Sequence, residues 1–319
     1  MSTLIIIDQL IILGVLVIIG VIGYKTKVIT KEINQGIARL VMKITLPLLI
    51  FTTFAKIEFN SDLMQDGIVV FLFGFVALFI SFWLSVLTIN LLKIKKELTT
   101  VHQLHTMFGN IVFLGFPLLN ALYPGGKGLL YASLFQLSHD STLWTWGIFQ
   151  LNKNSNTPKK GHQLSHMLNP NTIAFALGII AMLIKLPANN AVFNSLSGMG
   201  HTTIYLSMLY IGAILCQVDL KDFYKKISVY FLSINKLLIA PIILLLIING
   251  INYILPLSIS SIAKTVIVMQ GAMPSMIIIA ILAHNYGYDE KPATENIFST
   301  TILSLLTLPL VYALILFFN

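Results

Sequence analysis

Residues 4–24 read LIIIDQLIILGVLVIIGVIGY, from Leu4 to Tyr24, with Asp8 as their one charge. An α-helix rises about 1.5 Å per residue, so about 20 such residues cross the roughly 30 Å hydrocarbon core of a bilayer. Residues 237–248, LLIAPIILLLII, show the same character far along the chain. Of the 319 residues, 56% are apolar and only 10% are charged. A soluble domain carries about 25% charged residues, and this deficit leaves too few to cover a water-facing surface. Within lipid every backbone polar group must bond internally, which leaves helices or closed barrels. The apolar runs lack strict alternation, so the reading is an all-α integral membrane protein.

Ten transmembrane helices are expected, at about 4–24, 34–54, 67–92, 101–122, 127–150, 168–186, 199–217, 229–250, 262–284 and 296–318. The first run has no basic leader and no small-residue cleavage pattern, so it reads as a retained helix rather than a signal peptide. The loops after odd-numbered spans hold 13 lysines, among them Lys25, Lys93, Lys153, Lys226 and Lys291. The alternate loops and their edges hold 4: Lys56, Lys127, Lys185 and Lys264. The positive-inside rule puts the richer set in the cytoplasm, so both termini are expected outside the cytoplasmic membrane. That topology accounts for the net charge of +8, and no nucleic-acid partner is needed to explain it. Cys216 is the single cysteine, which excludes a disulfide framework within the chain.

The longest polar connection, at 151–163, divides the spans five and five. We read residues 1–150 as one five-helix repeat, 151–167 as a cytoplasmic linker and 168–319 as a second repeat. An odd number of spans per half makes the second half enter the membrane inverted. The fourth span of each half carries a mid-helix proline after small residues: Gly115-Phe116-Pro117 in one, Gly271-Ala272-Met273-Pro274 in the other. Proline removes a backbone donor and clashes with the carbonyl one turn earlier. Matching interruptions in corresponding spans point to a transporter site near the bilayer midplane, where half-helix N-termini present amides to an anion. Asn110 and Gln270 add polar side chains nearby. Pro47, Pro241 and Pro309 lack such company and read as kinks.

Asp140 is the one acidic residue well inside a span, and a buried carboxylate there is a candidate for holding a cation or proton. Lys43, about ten residues into the second span, is a candidate to pair with Asp140 or to attract an anion. Arg39 and Lys236 read as snorkelling lysine- and arginine-type side chains near span ends. His105 and His201 read as ordinary satisfied histidines. His162 and His166 are four apart in a polar loop without carboxylate support, so no metal site is expected. Serine-hydrolase, zinc-protease and phosphate-loop signatures are missing, so no enzyme activity and no cofactor are expected.

Several stretches resemble the auxin efflux carrier family, the membrane transport proteins that include bacterial malate permease-like carriers. They are Phe108-Gly109-Asn110-Ile111-Val112-Phe113-Leu114-Gly115-Phe116-Pro117, Asn169-Pro170, and Gly271-Ala272-Met273-Pro274-Ser275. Further along come Ala283-His284-Asn285-Tyr286-Gly287 and Thr307-Leu308-Pro309-Leu310. The resemblance implies two inverted five-helix repeats in which helices 1, 2, 6 and 7 form a scaffold and helices 3–5 and 8–10 a transport domain. Broken helices 4 and 9 would then cross, with Asn110 and Pro117 in the first crossing helix and Pro274 in the second; Gly115, Gln270 and Gly271 beside them complete the candidate substrate-binding and crossover residues. It also implies an organic anion as substrate. The short central loop is similar to bacterial carriers rather than plant ones, which have a long hydrophilic loop there.

The expected function is therefore secondary transport of a small organic anion, a carboxylate such as malate, by alternating access in the lipid bilayer. Coupling to Na+ or H+ through Asp140 is the alternative. A membrane-embedded enzyme is the reading from another class, and it lacks a catalytic motif. Oligomeric state stays open, a homodimer included.

Overall fold

The computed structural model describes residues 3–153, 155, 169–188, 190–216, 226–254 and 259–318. The expected linker at 151–167 lies outside the described residues except for its first three and Ser155, as do His162 and His166.

Regular structure among the described residues is helical. In chain order the helices are α1 (Thr3–Lys25), α2 (Lys31–Phe54), α3 (Ser61–Leu91), α4 (Lys96–Met107), α5 (Ile111–Leu122) and α6 (127–153). Then follow α7 (Pro170–Leu183), α8 (Ala191–Leu215), α9 (Ile227–Ile254), α10 (Ser261–Gly271), α11 (Ile278–Asn285) and α12 (Glu290–Phe317). Four of these, α2, α3, α9 and α12, contain stretches long and apolar enough to cross a membrane.

Local chemistry sets many of the helix starts. The Asn169 side chain accepts from the Asn171 and Thr172 amides at the head of α7, where Pro170 occupies the first turn. Asn190, Ser260 and Asp289 cap α8, α10 and α12 in the same way. Each cap satisfies an amide that the first helical turn leaves without an intrahelical partner.

Three of the prolines expected to kink or break helices follow a wider π-helical turn. The turns Val41–Thr45, Ile111–Gly115 and Asn235–Ile239 precede Pro47, Pro117 and Pro241 by two residues. The amide of Leu46 reaches back five residues to the Val41 carbonyl, and that of Ala240 to Asn235. A π turn spaces the backbone so that the proline ring avoids the carbonyl it would meet in a regular helix. Helical structure therefore runs through these prolines. The true interruptions lie at 108–110, between α4 and α5, and at 272–277, between α10 and α11.

The chain divides into two compact units. The first comprises Met1–Ile68, Val112–Leu134 and Leu168–Gln217. There α1 packs on α8, and the second half of α2 packs on α7 and α8. The α1–α8 approach needs a residue without a side chain, because a Cβ on Gly212 would overlap the Val17 carbonyl and the Val21 amide. Close backbone contact through small residues is how helices gain packing in lipid, where burial from water gives no drive. A buried hydrogen bond from Thr203 to Thr45, at 2.9 Å, adds to it. The opposite face of α1 exposes Ile11, Ile18 and Ile22, which suits contact with lipid tails.

The second unit comprises Val69–Ile111, Phe135–Met167 and Val218–Asn319. One apolar cluster joins Leu78, Leu104, Phe108, Leu143, Ile279 and Tyr286. Polar pairs tie its helices as well. Asn235 on α9 donates to Thr88 on α3 at 2.6 Å, and the Ser233 and Ser299 hydroxyls of α9 and α12 lie 3.1 Å apart. Such bonds contribute about 0.6–2 kcal/mol each within a membrane bundle.

Candidate functional site

Within the second unit the two interruptions meet. The Asn110 amide donates to the Pro274 carbonyl at 2.6 Å, and the Met276 amide donates to the Phe108 carbonyl at 3.0 Å. Gly109 and Ser275 thereby form an antiparallel bridge two hydrogen bonds wide. Gly109 is suited to this crossing because a Cβ there would sit 3.2 Å from the Met273 Cβ and 3.3 Å from its carbonyl oxygen. A larger side chain would force the two segments apart.

The bridge explains how α4 can end inside the unit. A helix leaves its last carbonyls without intrahelical partners, and such groups are costly away from water. Here two of them find donors from other segments. The Ser275 hydroxyl donates to the His105 carbonyl at 3.0 Å, and the Lys236 ammonium donates to the Met107 carbonyl at 2.9 Å. The Ser275 amide in turn donates to the Thr300 hydroxyl oxygen on α12 at 3.0 Å. Segments from α4, α9, α10–α11 and α12 thus close around one point.

The expected site residues separate into groups. Asn110 and Pro274 are in direct contact through the bridge, and both are buried. Gln270 and Gly271 complete the last turn of α10. Gln270 is buried, and neither its amide nitrogen nor its oxygen has a hydrogen-bond partner among the described residues. Gly115 and Pro117 lie in α5 within the first unit, Gly115 closing the π turn and Pro117 just beyond it. Pro274 occupies the non-helical interruption itself, so the two prolines hold different structural places. Asp140 is buried on α6 and accepts from the Gln136 side chain, one turn earlier, at 3.0 Å. Lys43 is exposed on the π turn of α2 in the first unit.

Sequence reasoning missed Lys236 and the histidines. Lys236 reads as a snorkelling side chain, yet it is 2% exposed and bound to the end of α4. Its place in a π turn two residues after Ile234 turns it inward, which no hydropathy pattern reveals. His105 is fully buried, and neither ring nitrogen has a partner among the described residues. His139 stacks on Phe135 with ring centroids 4.5 Å apart and meets Phe108 edge-on at 6.1 Å. The signal for His105 was its position three residues ahead of Phe108-Gly109-Asn110.

The family described as membrane transport protein matches residues 5–312. The chain belongs to that family. It is 25% identical over 311 residues to an uncharacterized transporter of Methanocaldococcus jannaschii, covering 95% of this chain and 96% of the relative. It is 26% identical over 314 residues to an uncharacterized transporter of Methanothermobacter thermautotrophicus, covering 97% and 96%. Membership makes the chain a multi-pass membrane protein of a transporter family, and it supports the reading of a carrier over that of an enzyme.

Proposed function

We propose that the chain is a secondary transporter of a small organic anion, a carboxylate such as malate, working by alternating access in the cytoplasmic membrane. In this reading ten helices form two inverted five-helix repeats. Segments α4–α5 and α10–α11 are the broken fourth and ninth helices. Helices 1, 2, 6 and 7 act as scaffold and helices 3–5 and 8–10 as the moving domain. The observation that carries the reading is the Asn110–Pro274 and Met276–Phe108 bridge between the two interruptions. Each interruption is followed by a new helix start, at Ile111 and Ile278, and the first amides of a helix lack intrahelical partners. Such ends attract a carboxylate through their amides and the positive end of the helix dipole. Lys236, when protonated, would add positive charge beside them, and the unpartnered Gln270 amide is a further donor. The test is uptake by proteoliposomes of malate, citrate, lactate and indole acetate. Accumulation or counterflow of at least one is expected, and indifference to all four would end the anion reading.

A second reading adds coupling to Na+ or H+ at Asp140, favoured by the burial of that carboxylate, to which the Gln136 amide donates. Asp140→Asn keeps the size of the side chain and removes its charge. Gradient dependence should vanish while counterflow survives. A variant that responds to the gradient as the parent does would remove Asp140 from that role.

A further inference from the structure

The starts of three helices in the second unit converge on a cavity of about 70 Å³. Ile94, Leu98 and His102 line it from the α4 side, Lys226, Ser228 and Val229 from α9, and Pro292, Glu295 and Asn296 from α12. That volume has room for several water molecules. It is far below the roughly 300–1,000 Å³ of a site for an organic ligand, so the occupant to consider is an ion or water.

Its charges narrow the choice. Glu295 is 1% exposed, and both of its oxygens accept from the Lys226 ammonium, at 2.7 and 2.6 Å. The lysine side chain is 40% exposed, so the ion pair stands at the boundary between water and the interior. With an ammonium already on the carboxylate, a metal cation would meet like charge. A proton needs only a base, and His102 supplies one. Its side chain is buried, and Nε2 has no partner among the described residues. A buried polar atom without a partner is destabilising, and a water or a proton in the cavity relieves it.

The line continues inward. His105 lies one turn deeper on the same face of α4, within electrostatic reach of both His102 and Lys236. Lys236 in turn holds the Met107 carbonyl at the bridge. The elements packed on α4 are α9, α11 and α12, with α3 and α6 joining its apolar cluster. Among their titratable groups are Lys226 ahead of α9 and Lys236 within it, His139 and Asp140 on α6, His284 on α11 with Tyr288 after it, and Lys291 and Glu295 on α12. Lys96, Glu97 and His105 lie on α4 itself.

We propose that this cavity is a proton-exchange site, with the His102 imidazole as the proton carrier and the Lys226–Glu295 ion pair as its gate to water. The step is a proton transfer alone: a hydronium ion arriving from bulk water gives its proton to Nε2, leaving water in the cavity and a cationic imidazole. The imidazolium then competes with Lys226 for the Glu295 carboxylate, which loosens the ion pair on the loaded form. Proton occupancy at His102 is linked through His105 and Lys236 to the bridge at the end of α4. This inference rests on the carrier reading and names the proton as its coupling ion.

The test uses the full chain in proteoliposomes with a pH-sensitive dye inside, and compares the parent with His102→Gln and Glu295→Gln. Malate counterflow, which needs no gradient, reports the carrier itself. A pH gradient should drive malate accumulation and proton movement in the parent. Both variants should keep counterflow within about twofold and lose about tenfold of the gradient-driven accumulation. Counterflow in the parent without any response to the gradient would overturn the proton site and leave the anion reading standing. Loss of counterflow for every carboxylate would instead sink the anion reading. In that case, or where the variants do not fold, labelling of parental His102 by diethyl pyrocarbonate decides. A rate that titrates with pH supports the site, and protection at every pH overturns it.

Discussion

Lys236 shows how one side chain can hold a helix end in place. Its ammonium donates to the Met107 carbonyl at 2.9 Å, where α4 has run out of its own donors. Lys236→Met keeps most of the packing and leaves that carbonyl unpaired. The expected loss is about 1–3 kcal/mol, read as a lower melting temperature in detergent. A melting temperature equal to the parent's would show that the bond contributes nothing. Gly109 tests the same point from the other side. A Cβ there sits 3.2 Å from the Met273 Cβ, so Gly109→Ala needs a small shift and Gly109→Val a larger one. Transport should fall in that order, by about tenfold or more for valine, and similar rates in both variants would contradict the close crossing. The sequence marked Asn110 as a polar neighbour of a break that it set at Pro117. It left Lys236 and His105 obscure, because hydropathy records the depth of a residue along a helix and not the face it turns inward.

At the scale of elements, the prolines separate into two kinds. Pro47, Pro117 and Pro241 follow π turns that accommodate them within continuing helices, whereas Pro274 lies in a stretch with no helix. Pro274→Ala restores an amide where the chain must stay non-helical, and it should impair transport more than expression. Pro241→Ala should leave uptake within about twofold of the parent, since the helix already runs through that position. Equal defects in the two variants, measured as uptake per folded protein, would contradict the distinction. The sequence marked Pro117 and Pro274 as equivalent because both follow small residues. The structure places the first interruption at 108–110 instead, ahead of Pro117, where the bridge to the second interruption forms. Helix extents were easier: the second span was expected at about 34–54, and α2 covers Lys31–Phe54.

For the whole molecule, the lysine distribution predicts sidedness. Lys93 follows α3 and Lys185 follows α7, each with positive φ, 48° and 51°, as residues that close a helix often have. In a Cys216→Ala background, Lys93→Cys should react with a membrane-impermeant maleimide from the cytoplasmic side and Lys185→Cys from the outer side. Both reacting from one side would overturn the topology. The sequence by itself determined the solvent of this protein, because 10% charged residues cannot cover a surface in water. It also marked long apolar helices and the break at Pro274, because those properties are local, while it set the other break at Pro117 rather than at 108–110. Only the tertiary structure decided which groups satisfy the weakened ends. The partners of Asn110 and Phe108 are backbone atoms of Pro274 and Met276, far away in the chain. A backbone amide or carbonyl is the same group in every residue, so no side-chain pattern announces where it will bond. Which carbonyl receives Lys236, and which face of α4 meets the cavity at Glu295, follow from the packing of the helices on one another.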